Sequence, residues 1–304
     1  MTVMRKVLTI MMFFAAVATS AQTLPSLLVP SDAAGLGTAS ANVAATPTAY
    51  QVENNVAGMS FSPSRFSAGV SYGMWQPTYA SDKVISAGAM WRSEKRLAIG
   101  LSFKYFAQPS YDITTESGNA SREGSYTPKE FNAAVGVSYR IVDFLSLGLS
   151  ARLTRSDIAP EASSNVFGVD AGVFFQKNNI RAGISANNLG SKVKYGENTY
   201  SQPSLVKAGA GYTIGLGTSS IAVNAEADVL FSGGFMAGLG AEYSFDDLVF
   251  VRAGYHYGDD KKAIPSYGSL GAGVKFFGVR LDVAYLVGSQ VLKNSLGVTL
   301  GYSF

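Results

Sequence analysis

The chain has no cysteine, one histidine and two tryptophans in 304 residues. Without cysteine there is no disulfide, no thiolate metal site and no cysteine nucleophile. Charge is scarce too: 15% of residues are Asp, Glu, Lys or Arg, against about 25% in a typical soluble domain. A formal net charge of +3 is too small and too scattered to mark a nucleic-acid surface. Beyond the first residues, no apolar run is long enough to form a membrane-spanning helix.

What is present begins with an export signal. Arg5 and Lys6 precede the apolar stretch "VLTIMMFFAAVA", and Thr19-Ser20-Ala21 reads as a small-residue cleavage site. Residues 1–21 are therefore read as a signal peptide, with a membrane anchor as the alternative; the apolar stretch is short for an anchor. No cysteine follows the site, so a lipoprotein is excluded.

From Phe66 to Phe304 the pattern is alternation. In "LAIGLSFKYF", Leu97, Ile99, Leu101, Phe103 and Tyr105 share one parity, and Ala98, Gly100, Ser102 and Lys104 the other. Successive strand side chains point to opposite faces, so such a segment is greasy on one side only. Strand starts are predicted near Phe66, Val84, Arg96, Glu130, Phe144, Val166, Ile180, Leu205, Ser220, Phe235, Leu248, Tyr267, Val279 and Ser295, fourteen in all. With no helix to cover the greasy face, the chain reads as all-β: a closed antiparallel transmembrane barrel spanning residues 66–304, its apolar face turned to lipid. Many of the 33 glycines fall on the polar parity, where a crowded lumen or a strand bend needs a missing side chain.

Two further patterns agree with this. Joins such as "RSEK", "VD", "KNN", "GLGT" and "DD" are short, while those at 107–129, "SDIAPEASSN", "SKVKYGENTYSQP" and "GDDKKAIPS" are longer. Barrels of this class have short periplasmic turns, long external loops and both ends in the periplasm. Charges in mid-strand, including Arg92, Lys104, Arg140, Arg152, Asp170, Arg181, Lys207, Glu226, Asp228, Glu242, Arg252, Lys275, Arg280 and Asp282, all take the polar parity. An Arg or Lys facing lipid at the bilayer midplane costs about 2–4 kcal/mol, which enforces that segregation.

Residues 22–65 do not alternate and are rich in Ala, Gly, Ser and Pro. A fourteen-stranded barrel encloses more room than its own side chains fill. The segment is read as a plug folded into that room, with a disordered periplasmic tail as the other reading. Leu36, Val43, Tyr50, Val56 and Met59 favour the plug.

The leader "VPSDAAGLGTASANVAATPTAYQVENNVAGMSF" resembles the opening of the PorV/PorQ family of Bacteroidetes outer-membrane proteins. The counterparts are Ser31-Asp32-Ala33, Gly35-Leu36-Gly37, Val43-Ala44 and Asn55-Val56-Ala57-Gly58-Met59. "ISANNLGSKVKY" and "QPSLVKAGAGY" are similar to the family's mid-barrel segment. Val56 stands where the family usually has Pro, and Thr38-Ala39 replaces its Gly-Gly-Ala continuation. The resemblance implies a FadL-like barrel with an N-terminal hatch, carrying Asp32, Gly35, Gly37, Asn55, Ala57 and Gly58 as hatch-motif residues. It also implies a role in type IX secretion, in contact with secreted cargo or other secretion-machine proteins, in the cell outer membrane and its lipid bilayer.

Candidate chemistry is thin. His256 lacks an evident nucleophile or carboxylate partner, so catalysis is not expected. Glu226 and Asp228 share one strand face and are expected to pair with lumen arginines: Arg140, Arg152, Arg252 or Arg280. With Asp170, His256 and Asp282 these form a predicted lumen polar network. "GAGYTIGLGTSS" has the glycines of a phosphate loop but neither the following helix nor a Gly-Lys-Ser/Thr. Asn119-Ala120-Ser121 is a formal sequon of little consequence in bacteria. The 107–129 stretch, with Tyr111, Asp112, Glu116, Arg122, Glu123 and Tyr126, is the predicted partner-binding loop. No cofactor, metal or nucleic acid is expected. The functional expectation is a non-enzymatic secretion component that binds cargo or partner proteins; the alternative is a FadL-type channel for hydrophobic small molecules.

Overall fold

A computed structural model describes residues 23–114, 122–259 and 262–304. The expected signal peptide, the sequon and Glu116 lie outside the described residues, as do the side chains of Arg122 and Glu123. Fourteen strands close into one antiparallel barrel: β1 (Phe66–Trp75), β2 (Asp82–Arg92), β3 (Leu97–Ala107), β4 (Lys129–Val142), β5 (Leu145–Ala159), β6 (Ala162–Lys177), β7 (Ile180–Gly190), β8 (Leu205–Leu216), β9 (Ser219–Leu230), β10 (Phe235–Phe245), β11 (Val249–Gly258), β12 (Tyr267–Phe276), β13 (Val279–Val287) and β14 (Leu296–Ser303). Closure comes from β1 pairing with β14, from Ser67 opposite Ser303 to Met74 opposite Leu296. No strand edge is then left for lipid to solvate.

The alternation maps onto the two faces of the wall. In β3, Leu97, Ile99, Leu101 and Phe103 are exposed while Ala98, Gly100, Ser102 and Lys104 are buried. Removing one such side chain from water is worth roughly 1.5–3 kcal/mol, so a belt of them is stable only against lipid. The mid-strand charges predicted to face inward are all buried or half-buried.

One end of the barrel carries tight turns. Left-handed backbone at Asn178, Asp246, Asp247 and Phe277, with φ of 52° or close to it, gives these hairpins the twist that matches their strands. The other end carries the loops, with one correction. "SDIAPEASSN" is not a loop: β5 runs to Ala159, β6 begins at Ala162, and the two residues pair across the turn. Strands of 15 and 16 residues exceed the roughly 9–11 that cross the bilayer. Above the membrane neither face meets lipid, so polar residues on both faces there do not signal a break. Two small hairpins ride on the loop end, Tyr111–Thr114 with Arg122–Tyr126 and Val193–Tyr195 with Asn198–Tyr200.

The segment ahead of β1 lies against the inward faces of the wall. It contains helix α1 (Ala33–Gly37), helix α2 (Gln51–Asn54) and a 3-10 turn at Val56–Phe61. Its first described residues lie at the loop end. Thr23 donates its amide to Ser201 in a loop, and buried Leu24 packs with Val166, Val193 and Tyr195. From there it meets β3 and β4 (Lys104 and Asn132 on Ser26), β14 (Thr299 on Ala33), β12 (Ser269 on Ala39), β9 (Glu226 on Val43) and β7 (Arg181 on Ala44). It leaves at the turn end, where the Arg65 amide donates to Phe304.

Gly148 of β5 shows how close the contact is, because a Cβ there would meet the Ala57 amide nitrogen at 2.5 Å. Gly148→Val is expected to destabilise the barrel by about 1–3 kcal/mol. The readout is a lower thermal midpoint with new protease cleavage in residues 42–65. Gly215→Ala, where the added carbon would face open space, should change neither.

Candidate functional site

The interior is organised by ion clusters that join the leader to the wall. Glu53, on the last turn of α2, is the centre of the first. Its carboxylate takes Lys104 at 2.8 Å and Arg152 at 3.5 Å, with side-chain exposures of 7% or less. The Ser31 hydroxyl donates to it at 2.7 Å and that of Ser102 at 3.0 Å. Lys104 spends its remaining donors on the Val29 and Ser26 carbonyls at 2.8 and 3.2 Å. Arg152 continues to Asp170 at 3.0 Å. Asp170 in turn accepts from Ser150 at 2.6 Å and from the backbone amide of Asn188 at 2.7 Å.

That last contact explains "NNLG". The β6–β7 register shifts between Val169 and Ala171, and Asn188 takes φ of 59°. Asparagine tolerates the left-handed region better than most residues. Its side chain also donates to the Pro203 carbonyl at 3.1 Å, at the foot of β8.

The second cluster corrects an expectation. Glu226 pairs with Lys207 at 3.3 Å, not with an arginine, and accepts the Val43 amide at 2.5 Å. Asp228 is buried beside it on the same face. Their register explains the partner, since β8 brings Lys207 opposite Asp228 while the arginines lie on other strands. The third cluster holds Arg252 against Glu242 at 2.6 Å and Asp282 at 2.9 Å, and Arg280 bridges the same two carboxylates at 3.2 and 2.9 Å. His256 lies buried and stacked on Tyr267, ring centroids 4.7 Å apart. Arg140 joins none of these pairs. It lies at the turn-end rim, its guanidinium 5.0 Å above the Phe61 ring.

The family-like residues of the leader act as its joints. Asp32 caps α1 by accepting the Gly35 amide at 3.0 Å, and buried Gly35 and Gly37 lie within that helix. Asn55 caps the 3-10 turn that holds Ala57 and Gly58, accepting the Ala57 amide at 3.2 Å. Its amide group donates to the carbonyls of Val43 in the leader and Val173 in β6, both at 3.1 Å. Glu53 was missed by sequence reading because one acid in an irregular segment has no periodicity to mark it. The available signal was an excess of inward cations on β3 and β5.

Burial would raise the Glu53 carboxyl, but the Lys104 and Arg152 charges, with hydrogen bonds from Lys104 and Ser31, hold it well below the usual carboxylate range. Asp32 goes the other way. Burial, with Asp282 adding repulsion, pushes it up to about 6 against the lowering effect of the Gly35 amide.

At the loop end, the Tyr111 and Tyr126 rings face each other at 5.9 Å across the hairpin that also carries Asp112 and Arg122. The Tyr111 hydroxyl donates to the Ile158 carbonyl at 3.3 Å, tying that hairpin to the β5 tip. At the turn end a cavity of about 290 Å³ lies between the leader and the wall, lined by Asp32, Thr46, Thr48, Asn224, Glu242 and Arg280 among others. Among the described residues no three His, Asp or Glu side chains are grouped to hold a metal ion.

The sequence model of the family described as "Type IX secretion system protein PorV" matches residues 15–233. Among solved structures, the CymD monoaromatic hydrocarbon channel is 16% identical with a TM-score of 0.63, covering 91% of this chain and 98% of that one. The Ralstonia pickettii toluene transporter TbuX is 12% identical with a TM-score of 0.59, covering 88% and 97%. A Pseudomonas aeruginosa FadL homologue is 15% identical with a TM-score of 0.57, covering 91% and 99%. At such identities the likeness is one of fold. No curated protein matches the chain.

Glu53→Gln is expected to cost about 3–5 kcal/mol, because it leaves Lys104 buried without its counter-ion and strips Arg152 of one of its two carboxylates. The clamp's contribution is complete above the ordinary glutamate value and is lost as pH falls through the depressed one. Asp32 has the opposite sign: its penalty builds from the unfolded value of 3.8 to about 6 and is full above that. Asp32→Asn, which keeps a capping oxygen, should therefore stabilise the barrel at pH 7 by on the order of 1–3 kcal/mol. Below pH 4 the gain should vanish; thermal melts across pH read both effects.

Proposed function

The chain belongs to the PorV family of type IX secretion system proteins, and from that premise we propose that it is a non-enzymatic outer-membrane docking component. It holds cargo or other secretion proteins on a rigid barrel. The observation that carries this reading is the leader clamped through Glu53 to β3 and β5 inside the barrel. An interior tied down in that way suits a scaffold, leaving loops and rims as the variable contact surfaces. The hairpin carrying Tyr111, Asp112, Arg122 and Tyr126 is the proposed partner site. It stands clear of lipid, has paired aromatic rings and is braced on β5. Residues 22–65 are proposed to serve as the hatch of this barrel.

A second reading, a channel for hydrophobic solutes, draws on the fold shared with the hydrocarbon channels. The turn-end cavity sets the ion-paired Glu242, Arg280 and Asp282 among apolar Ala45, Pro47 and Phe250, so an apolar solute entering there would have to pass charged groups.

Tagged chain extracted from native outer membranes in mild detergent is expected to bring down type IX secretion proteins or a secreted cargo. Removing residues 109–127 should lower that recovery about fivefold or more, a loss near 1 kcal/mol, while the barrel still folds. Recovery of the barrel alone would overturn the docking reading. Uptake of toluene or oleate into liposomes that depends on this chain would establish the channel instead.

A further inference from the structure

The turn-end mouth carries a cationic patch that the lumen clusters do not use. Arg92 closes β2 and Arg140 lies near the end of β4, both on the inward parity and half-buried. The connecting residues place Lys95 and Arg96 beside them, and Arg65 lies next to Arg92, whose amide donates to the Arg65 carbonyl at 2.8 Å. The Arg140 amide donates to the Arg96 carbonyl at 2.9 Å, and its guanidinium to the Lys95 carbonyl at 3.4 Å. Arg140 thus sits in the repulsive field of Arg92 and Arg96.

The nearby acids do not neutralise this. Glu94 is taken by Arg65 at 3.0 Å and Asp143 by Arg96 at 3.4 Å, on side chains 44–94% exposed. Such rim pairs are worth little and compete poorly for their partners. Arg92 and Arg140 have no carboxylate within ion-pair distance among the described residues, and each keeps a buried Nε with no hydrogen-bond partner. Phe61, on the leader, fixes the Arg140 guanidinium from below. Two guanidinium groups with spare donors, held in place beside three further cations, form a site built for carboxylates.

We propose that this mouth patch docks an acidic peptide segment of a periplasmic partner protein. Short turns of such barrels face the periplasm, and the inward parity of Arg92 and Arg140 aims them into the mouth, away from lipid headgroups outside the wall. A protein segment entering the mouth reaches both; a phospholipid in the surrounding leaflet does not. The inference rests on the docking reading above and names the chemistry of one partner.

The test uses the full barrel purified in detergent and a fluorescent octa-glutamate peptide, followed by anisotropy. Binding is expected at low salt, weakening as ionic strength rises past about 0.15 M, where screening acts within roughly 8 Å. R92Q/R140Q should weaken it about tenfold or more, and R140K, which keeps the charge, should restore part of the loss at R140Q. Thermal midpoints measured alongside separate loss of the site from loss of the fold. Equal binding of octa-lysine, or unchanged affinity in a folded R92Q/R140Q barrel, would overturn the proposal. Displacement of the peptide by inorganic phosphate at matched charge would also overturn it, making the patch a small-anion site. If a folded R92Q/R140Q barrel keeps its octa-glutamate affinity while secretion proteins still co-purify with it, this inference alone falls and the docking reading stands.

Discussion

Lipid offers no hydrogen bonds, and that one deficiency organises the molecule. The backbone must pair with itself all the way round, which closes β1 on β14. Every mid-strand charge must point inward, which loads the lumen with cations and carboxylates. A lumen so loaded cannot be left as a loose collection of ions, because each unpaired buried charge is costly. The N-terminal leader supplies backbone carbonyls, amides and the Glu53 carboxylate to the buried cations of that interior, and so completes what the wall alone leaves unsatisfied.

Glu53 is where this dependence is greatest. Lys104 on β3 and Arg152 on β5 are both buried cations, and Asp170 neutralises only the second of them. Without the leader's carboxylate, β3 would carry a buried ammonium held by carbonyls alone. The same Arg152–Asp170 pair reaches the Asn188 amide at the β6–β7 irregularity. A side chain in the leader and a kink in the wall therefore belong to one hydrogen-bonded system.

The barrel itself was legible because its rule is periodic. Leu97 to Phe103 obey a two-residue repeat that any window along the chain reveals, and the tight turns fall between repeats. The rule fails where lipid stops: Ser156 to Asn165 looked like a loop because a strand in water has no greasy face to show. The interior was legible in parity but not in partnership. Parity puts Glu226 and Arg252 inside, whereas register decides that Glu226 meets Lys207. Glu53 was invisible for a related reason, since its significance lies in residues about fifty and a hundred positions away.

The path of the leader has a mechanical consequence. Its first described residues are held at the loop end by Leu24, while its other end is covalently continuous with β1 at the turn end. It runs through the barrel as a thread runs through a bead, and the two directions of pull are not equivalent. Tension applied from the loop side draws the thread taut against its anchor at β1 and tightens the interior. Tension from the turn side must first drag Leu24 down the whole bore. A barrel built this way resists being emptied from either side, and for different reasons on each: tethering in one direction, friction in the other.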